Sequence, residues 1–232
     1  MKTSILTVRV SDLLRDSLKY MKIKCGINDN SMEGEQIYQK CMRMWSEFFF
    51  GGQISFLVGS FGRECLDESH QKLVFGGREY TCHLLEQMDL SAVTGGFLYL
   101  FHAPEVDITG MSQEECFLID GWQIALLDGA RIWLERYLRR QQPEARYLSG
   151  SFGPGFYGME LEAVAAMVEG LDGQRIGIRL ASDGLMEPAK SLVGMFLTGR
   201  KPFAMPEGDC VSCQGVTNCR MCRHYTGKEE KG

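Results

Sequence analysis

The sequence lacks an apolar run long enough for a signal peptide, or for a membrane-spanning helix of roughly 20 apolar residues. It also lacks an excess of positive charge, because 25 Lys and Arg residues stand against 30 Asp and Glu, for a formal net charge of −5. A surface that follows nucleic-acid phosphates is therefore not expected. We expect a cytoplasmic protein with no membrane and no nucleic acid among its partners.

Catalytic patterns are also scarce. The 4 histidines show no spacing typical of metal ligands, and no nucleophile stands in a recognisable pattern with a base. No P-loop is present. Outside the C-terminal region the cysteines occur singly, which favours reduced thiols over disulfides. A hydrolase has no support.

Helix and strand signals do follow one another along the chain, without a steady βαβ repeat. We predict a first helix capped by Ser11, a second through Cys41 and Trp45, and a later one from about Met159 to Leu171. The predicted strands are ISFLVGSF, the two arms of a hairpin around Gly76-Gly77, FLYLFHA, IGIRLA and LVGMFLT. This order indicates an α+β fold with a twisted, largely antiparallel sheet and packed helices.

The strongest helix signal runs from Ser112 to about Arg140. Ser112 and Glu115 form a capping box, and arginines lie near the helix C-terminus, where the helix dipole favours positive charge. Small residues recur every four positions, which leaves room for a neighbouring helix, a strand or a flat ligand. These small residues are Gly121, Ala125 and Gly129.

A glycine-rich segment, SGSFGPGFYGMELEAV, precedes the predicted helix at Met159. Pro154 followed by Gly155 predicts a type II turn, in which the glycine takes a positive φ. Phe156 and Tyr157 can stack on a ring, and open backbone amides can meet a carboxylate. The alternative is a tight connection with no ligand. A second segment, ASDGLMEPAKSLVGMFLTG, combines a polar turn with an apolar strand.

Together these segments resemble the activation (reactivation) domain of cobalamin-dependent methionine synthase, and more closely its small free-standing bacterial homologues. That family has an arginine before a Pro-Gly-Tyr turn, then a helix, then a segment like T-E-S-x-x-M-x-P-x-x-S-x-x-G. Here Arg146, residues 153–157 and residues 182–194 take those places. The long helix is similar to the family's Ala-Leu-Ala-Asp helix, and the resemblance covers about residues 60 to 200.

The resemblance implies that the chain binds S-adenosylmethionine and docks on the cobalamin-binding module of a partner during reductive methylation. Arg146 is then a candidate for the ligand's carboxylate, a role suited to a guanidinium. The other cofactor-binding residues that it implies are Gly153, Gly155, Phe156, Tyr157, Met186 and Lys190. An electron donor such as flavodoxin or ferredoxin is a further implied partner.

The composition changes near Pro206, so we predict an α+β domain at residues 1–205 and a short Cys-rich module at 206–232. Its sequence CVSCQGVTNCRMC holds two C-x-x-C pairs, which together supply four thiolates for a metal. The ligands would be Cys210, Cys213, Cys219 and Cys222. Either a structural zinc ion or an iron–sulfur cluster fits this pattern.

The functional prediction is a reactivation subunit for a cobalamin-dependent methionine synthase or a related corrinoid methyltransferase. An alternative is a non-enzymatic, metal-bearing adaptor or redox module for a corrinoid protein, with adenosylmethionine binding lost. A third and weaker interpretation is an independent methyltransferase, for which the sequence offers no base on the acceptor side.

Overall fold

The structure is a computed structural model that describes residues 2–25, 27, 31–69, 71–143 and 146–203. The α-helices of these residues are α1 (Leu14–Lys24), α2 (Met32–Met44), α3 (His83–Glu86), α4 (Gln113–Gln141) and α5 (Ala163–Leu171). The strands are β1 (Lys2–Arg9), β2 (Gln53–Gly62), β3 (Leu66–Asp67), β4 (Lys72–Phe75), β5 (Arg78–Thr81), β6 (Val93–His102), β7 (Tyr147–Leu148), β8 (Arg179–Leu180), β9 (Met186–Glu187) and β10 (Ser191–Gly199).

The main sheet has the strand order β1-β2-β6-β10-β7. Every strand pair in the described part of the chain is antiparallel, which confirms the predicted α+β class. Strands β4 and β5 form the predicted hairpin, and both glycines of its turn have positive φ. Strand β1 was not predicted, although it pairs along its full length with β2.

Each face of the main sheet carries its own hydrophobic layer, because successive side chains of a strand point to opposite faces. In β6, Tyr99 and Phe101 join a layer with α1, α2 and α4, whereas Leu98 and Leu100 join a layer with α5 and the small β3-β4-β5 sheet. We call the first the α4 layer and the second the α5 layer. Trp122 is fully buried in the α4 layer and donates its indole hydrogen bond to the Cys41 carbonyl at 2.8 Å.

Helix α4 begins at the predicted capping box, in which Ser112 and Glu115 satisfy each other's backbone amides. Its stripe of small residues faces α1. A Cβ atom added to Gly121 would lie 3.0 Å from the Met21 sulfur, and one added to Gly129 would lie 3.1 Å from the Ser17 backbone nitrogen. Of the neighbours that the sequence left open, the structure therefore places a helix against this stripe.

Two local predictions are wrong. Ser11 caps no helix: it lies inside a short 3₁₀ helix, Val10–Leu13, which begins after Arg9 and has no side-chain cap. Helix α5 begins at Ala163 rather than at Met159. The backbone of Met159 is used by the preceding turn, since its carbonyl accepts from Gly155 at 2.9 Å and its amide donates to Phe156 at 3.0 Å.

The segment IGIRLA contributes less strand than predicted. Only Arg179–Leu180 is extended and paired, and its partner is β9 in a separate two-stranded sheet. Gly177 ends the preceding turn with φ +78°, a conformation that favours glycine.

Within the described ranges, no helix has both the length and the apolar composition needed to cross a bilayer. The predicted boundary near Pro206 and the whole Cys-rich module lie outside the described residues. The two-part organisation therefore stays a prediction.

Candidate ligand-binding site

The glycine-rich segment forms the type II turn that its sequence predicts. The Phe156 amide donates to the Gly153 carbonyl at 3.0 Å, which closes a four-residue turn with Pro154 and Gly155 at its centre. Gly155 has φ +82°, a value that its missing side chain permits at this position of a type II turn. The turn is thus fixed by the backbone and not by side-chain contacts alone.

This turn is attached to the apolar strand of the second predicted segment. Phe152 and Met195 exchange two backbone hydrogen bonds, of 3.1 and 2.7 Å. A Cβ atom added to Gly153 would lie 2.9 Å from the Gly194 Cα atom, so the two backbones touch. The two segments that carry the sequence resemblance are therefore in direct contact.

The aromatic residues of the turn have different surroundings. The Phe156 side chain is 55% exposed, and its ring is free to cover a ligand in part. Tyr157 is half-buried against the α5 layer, and its carbonyl accepts from the His83 amide at 2.8 Å. Tyr157 also has φ +52°, so local packing holds it in a conformation unusual for a side-chain-bearing residue. Of the two rings, Phe156 is the better placed to stack on a bound group.

On the α4 side of the sheet, Tyr99 reaches across β10 to the turn segment. Tyr99 of β6 is paired with Gly194 of β10, and its ring is packed over that glycine. The Tyr99 hydroxyl lies 2.5 Å from the Ser151 hydroxyl, two residues before the turn begins. This contact depends on Gly194, because any side chain there would occupy the same space.

An ion pair of α4, between Arg131 and Asp128, is near enough to this hydroxyl to influence the pKa of Tyr99. Arg131 Nε and Nη2 both donate to the same oxygen of Asp128, Oδ1, at 3.2 and 2.7 Å. The other oxygen, Asp128 Oδ2, is buried and has no hydrogen-bond partner among the described residues. Burial lowers the pKa of Arg131, but the interactions with Asp128, Tyr99 and Glu135 outweigh burial and raise the pKa overall. The guanidinium therefore stays charged. The cluster thus offers a cation and an unpaired carboxylate oxygen.

Tyr99 itself is expected to resist ionisation. Desolvation raises its pKa to about 12, against the opposing effect of the Ser151 hydrogen bond. An unfolded tyrosine ionises near pH 10, so above that pH the unfolded state holds fewer protons and stability falls as pH rises. We expect Tyr99 to contribute a loss of about 1.4 kcal/mol per pH unit between about pH 10 and 12.

Chemical unfolding at several pH values tests this expectation. Tyr99→Phe should remove the contribution to the slope, whereas replacing the exposed Tyr147 with phenylalanine should retain it. Identical slopes for wild type and Tyr99→Phe would show that the hydroxyl is accessible to water.

Arg146 lies apart from the turn. The neighbouring Tyr147 is paired with Gly199 at one end of β10, whereas Gly153 is beside Gly194. Five residues of strand separate these positions, about 17 Å. The Arg146 side chain is exposed and has no hydrogen-bond or ion-pair partner within the described ranges. The structure does not bring Arg146 to the turn, and no contact supports its predicted role.

Met186 and Lys190 lie on different sides of the sheet. Met186 packs against the α5 layer, whereas Lys190 forms an ion pair of 2.5 Å with Asp120 of α4. Asp120 is shared with Lys24 of α1, at 2.9 Å. Desolvation raises the pKa of Asp120, but the hydrogen bonds from the two lysines outweigh desolvation, so the net shift of the pKa is downward. Lys190 therefore has a structural partner as well as its predicted ligand role.

Within the described ranges, no group of three or more His, Cys, Asp or Glu side chains is arranged to hold a metal ion. The four predicted ligands, Cys210, Cys213, Cys219 and Cys222, lie outside these residues. The metal site is a prediction from the sequence.

No protein-family model and no curated protein matches the chain. Among solved structures, the fold is similar to the "MetH Reactivation Domain bound to AdoHcy", with a TM-score of 0.65 over 90% of this chain and 81% of that chain. The sequence identity is 10%, so the likeness concerns the fold. The fold that the sequence resemblance implied is confirmed, with a curled antiparallel sheet and packed helices.

Sequence reasoning assigned no role at the site to four polar residues of this neighbourhood, namely Tyr99, Ser151, Asp128 and Arg131. Asp128 and Arg131 are three residues apart on a predicted helix, a spacing that indicates an ion pair but not its location. The Tyr99 to Ser151 contact joins positions 52 residues apart and had no local signal.

Proposed function

We propose that this protein binds S-adenosylmethionine and its product S-adenosylhomocysteine, and that it acts as a reactivation subunit for a corrinoid-dependent methyltransferase such as methionine synthase. It would dock on the partner's corrinoid module during reductive methylation. The reacting methyl group belongs to adenosylmethionine and the metal to the corrinoid, so the role of this chain is to bind and orient.

One observation carries the proposal. The two segments that resemble the family in sequence, 153–157 and 182–194, meet in the structure at the contact between Gly153 and Gly194. They do so within a fold similar to a reactivation domain bound to AdoHcy. Sequence motifs that agreed with the family by chance would have no reason to converge on one strand of the sheet, β10.

The residues at this contact fit a nucleoside. The close contact of Gly153 with Gly194 holds the turn against β10, and the exposed Phe156 ring of the turn provides a surface for an adenine. The turn would position the base, and α4 would limit how far the ligand extends.

Calorimetric titration of the full chain with S-adenosylhomocysteine is the direct test. We expect saturable 1:1 binding that Gly155→Val abolishes, because valine disfavours the positive φ of this turn and crowds Leu161. The exposed Gly110, at φ +81°, provides the matched control: Gly110→Val introduces the same strain outside both segments and should retain binding.

Docking and methylation of the partner are tested with a purified corrinoid protein whose cobalt is held in the cobalt(II) state. With adenosylmethionine and reduced flavodoxin or ferredoxin, methylated corrinoid should form only when this chain is added. If the chain binds the corrinoid protein but no adenosylhomocysteine, the adaptor alternative is correct and the proposed function is wrong.

We further propose that the C-terminal four-cysteine sequence binds a metal. Four thiolates at two C-x-x-C pairs suit zinc or an iron–sulfur cluster, and an iron–sulfur cluster would provide a one-electron path to the corrinoid. Support for this site comes from the spacing of Cys210, Cys213, Cys219 and Cys222 alone.

Metal analysis of full-length protein purified without oxygen distinguishes these cases. We expect bound zinc, or iron with sulfide and a brown absorption, that is lost when Cys213 and Cys219 are both replaced by serine. Replacing the isolated Cys65 and Cys116 by serine provides the control and should leave the metal content unchanged. Metal-free wild-type protein would contradict the prediction.

A further inference from the structure

The end of α1 brings a half-buried thiol to a buried thiol of α2. Cys25 is the residue that ends α1, and its amide donates to the Met21 carbonyl at 2.9 Å. Cys41 of α2 is fully buried in the α4 layer, and Cys25 packs against the same layer. The two side chains share a hydrogen bond, and both thiols are free. The fold therefore joins two thiols that occur singly in the sequence.

The hydrogen bond makes the two thiols unequal. It lowers the pKa of Cys25, and the positive charge of Lys24 acts in the same direction, so that together they outweigh burial. The same hydrogen bond and burial raise the pKa of Cys41. Cys41 thus keeps its proton and donates it to the Cys25 sulfur. Because the thiolate is the nucleophilic form, Cys25 is the thiol that reacts with an electrophile.

Another half-buried cysteine provides a comparison within the same chain. Burial and the negative charge of Glu64 raise the pKa of Cys65. Cysteines that respond to oxidants combine a low pKa, access to solvent and a second thiol beside them. Cys25 has this combination, whereas Cys65 has a raised pKa at a similar exposure.

We infer that Cys25 and Cys41 are a redox modification site, at which hydrogen peroxide converts the two thiols into a reversible disulfide. The Cys25 thiolate attacks one oxygen of the peroxide, the O–O bond breaks, and hydroxide leaves. The Cys41 sulfur then attacks the resulting sulfenic acid, an S–S bond forms, and the oxygen leaves with the Cys41 proton as water. The two thiols lose two electrons and two protons in all, and one peroxide becomes two water molecules.

The helices that carry these thiols are held in place by other contacts. The indole of Trp122 in α4 donates to the Cys41 carbonyl at 2.8 Å, and Lys24 at the end of α1 forms an ion pair with Asp120 of α4 at 2.9 Å. We therefore expect the disulfide to close without displacing either helix. A disulfide that closes a loop of about 15 residues constrains the unfolded chain, so the melting temperature should rise by about 5 to 10 °C.

Peptide mapping of the full-length protein tests the inference directly. The protein is treated with a stoichiometric amount of hydrogen peroxide, its remaining thiols are alkylated, and it is digested with trypsin. Trypsin cuts after Lys24, Lys40 and Arg43, so the disulfide would join peptide 25–40 to peptide 41–43. We expect this linked pair in the mass spectrum, and we expect dithiothreitol to remove it. Cys25 should be oxidised at least about tenfold faster than Cys65.

Variants assign the two roles. Cys41→Ser should leave Cys25 at the sulfenic acid, which dimedone traps, and should abolish the rise in melting temperature. Cys41→Ala serves the same purpose if the core does not accept a serine. Cys25→Ser should leave Cys41 reduced. The matched control, Cys65→Ser with Cys116→Ser, should retain both the linked peptides and the rise in melting temperature.

Three results would overturn the inference. The first is an oxidised protein without the linked peptides, in which Cys25 reacts no faster than Cys65. The second is a disulfide from Cys25 to a cysteine of the C-terminal four-cysteine sequence. The third is an unchanged or lower melting temperature after oxidation, because the bond would then close only by displacing the helices. None of these measurements involves adenosylhomocysteine, so the inference stands or fails independently of the proposed function.

Discussion

Replacement of Gly129 by leucine is expected to lower the free energy of unfolding by about 3 kcal/mol. Gly129 faces α1 at the closest approach of the two helices, where an added Cβ would overlap with the Ser17 hydroxyl and lie 3.1 Å from the Ser17 amide nitrogen. Backbone atoms of α1 cannot move aside without displacing the whole helix. The two helices must therefore separate, and the α4 layer between them loses its packing.

Leucine is a better helix former than glycine, so a loss of stability in Gly129→Leu must come from the contact with α1 and not from helix propensity. In an exposed helix, replacing glycine by leucine or alanine stabilises by about 0.5 to 1 kcal/mol. The exposed Gly170 of α5 provides the control: Gly170→Ala should raise the free energy of unfolding by that amount. Urea unfolding of both variants measures the difference, and a stable Gly129→Leu variant would show that α1 and α4 are not in close contact.

A coupled substitution identifies the atom responsible. The Ser17 hydroxyl is fully buried and has no hydrogen-bond partner among the described residues, so Ser17→Ala should be neutral or slightly stabilising. Gly129→Ala should destabilise the wild type and be better tolerated together with Ser17→Ala. A cost of Gly129→Ala that is the same in both backgrounds would assign the conflict to the α1 backbone.

The elements that the sequence predicted well are those whose signals are local. The capping box at Ser112 and Glu115 satisfies backbone groups within one turn of helix, and the Pro154-Gly155 pair sets its own dihedral angles. The spacing of Gly121 and Gly129 predicted a close neighbour, but α1 is identified only by the fold. In each case the physical cause lies within a few residues of the signal.

The candidate site was predicted only in part, because its other half depends on contacts across the sheet. Tyr99 and Ser151 meet over Gly194, and nothing near any of the three in the sequence indicates the other two. Arg146 precedes the turn in the sequence, as the family's arginine does, yet pairing of β7 with the far end of β10 separates the two.

Replacement of Gly194 by valine is expected to lower the free energy of unfolding by about 3 kcal/mol and to abolish S-adenosylhomocysteine binding in whatever protein still folds. An added Cβ would lie 2.7 Å from the Tyr99 ring carbon that carries the hydroxyl and 3.0 Å from the Phe152 carbonyl oxygen. Valine would therefore displace both the tyrosine and the turn segment. Fluorescence-detected unfolding and calorimetry measure the two effects separately.

Two further variants separate the effect of the displaced contact from the general effect of adding a β-branched side chain to the sheet. Ser4→Val adds a β-branched side chain at an exposed position of β1 and should change stability by less than about 0.5 kcal/mol, with binding retained. Gly194→Ala should destabilise less when combined with Tyr99→Phe, because the nearest atom is then absent. If Gly194→Val folds and still binds the ligand, Tyr99 and Ser151 do not hold the turn in place, and the ligand must be positioned by the residues of the turn alone.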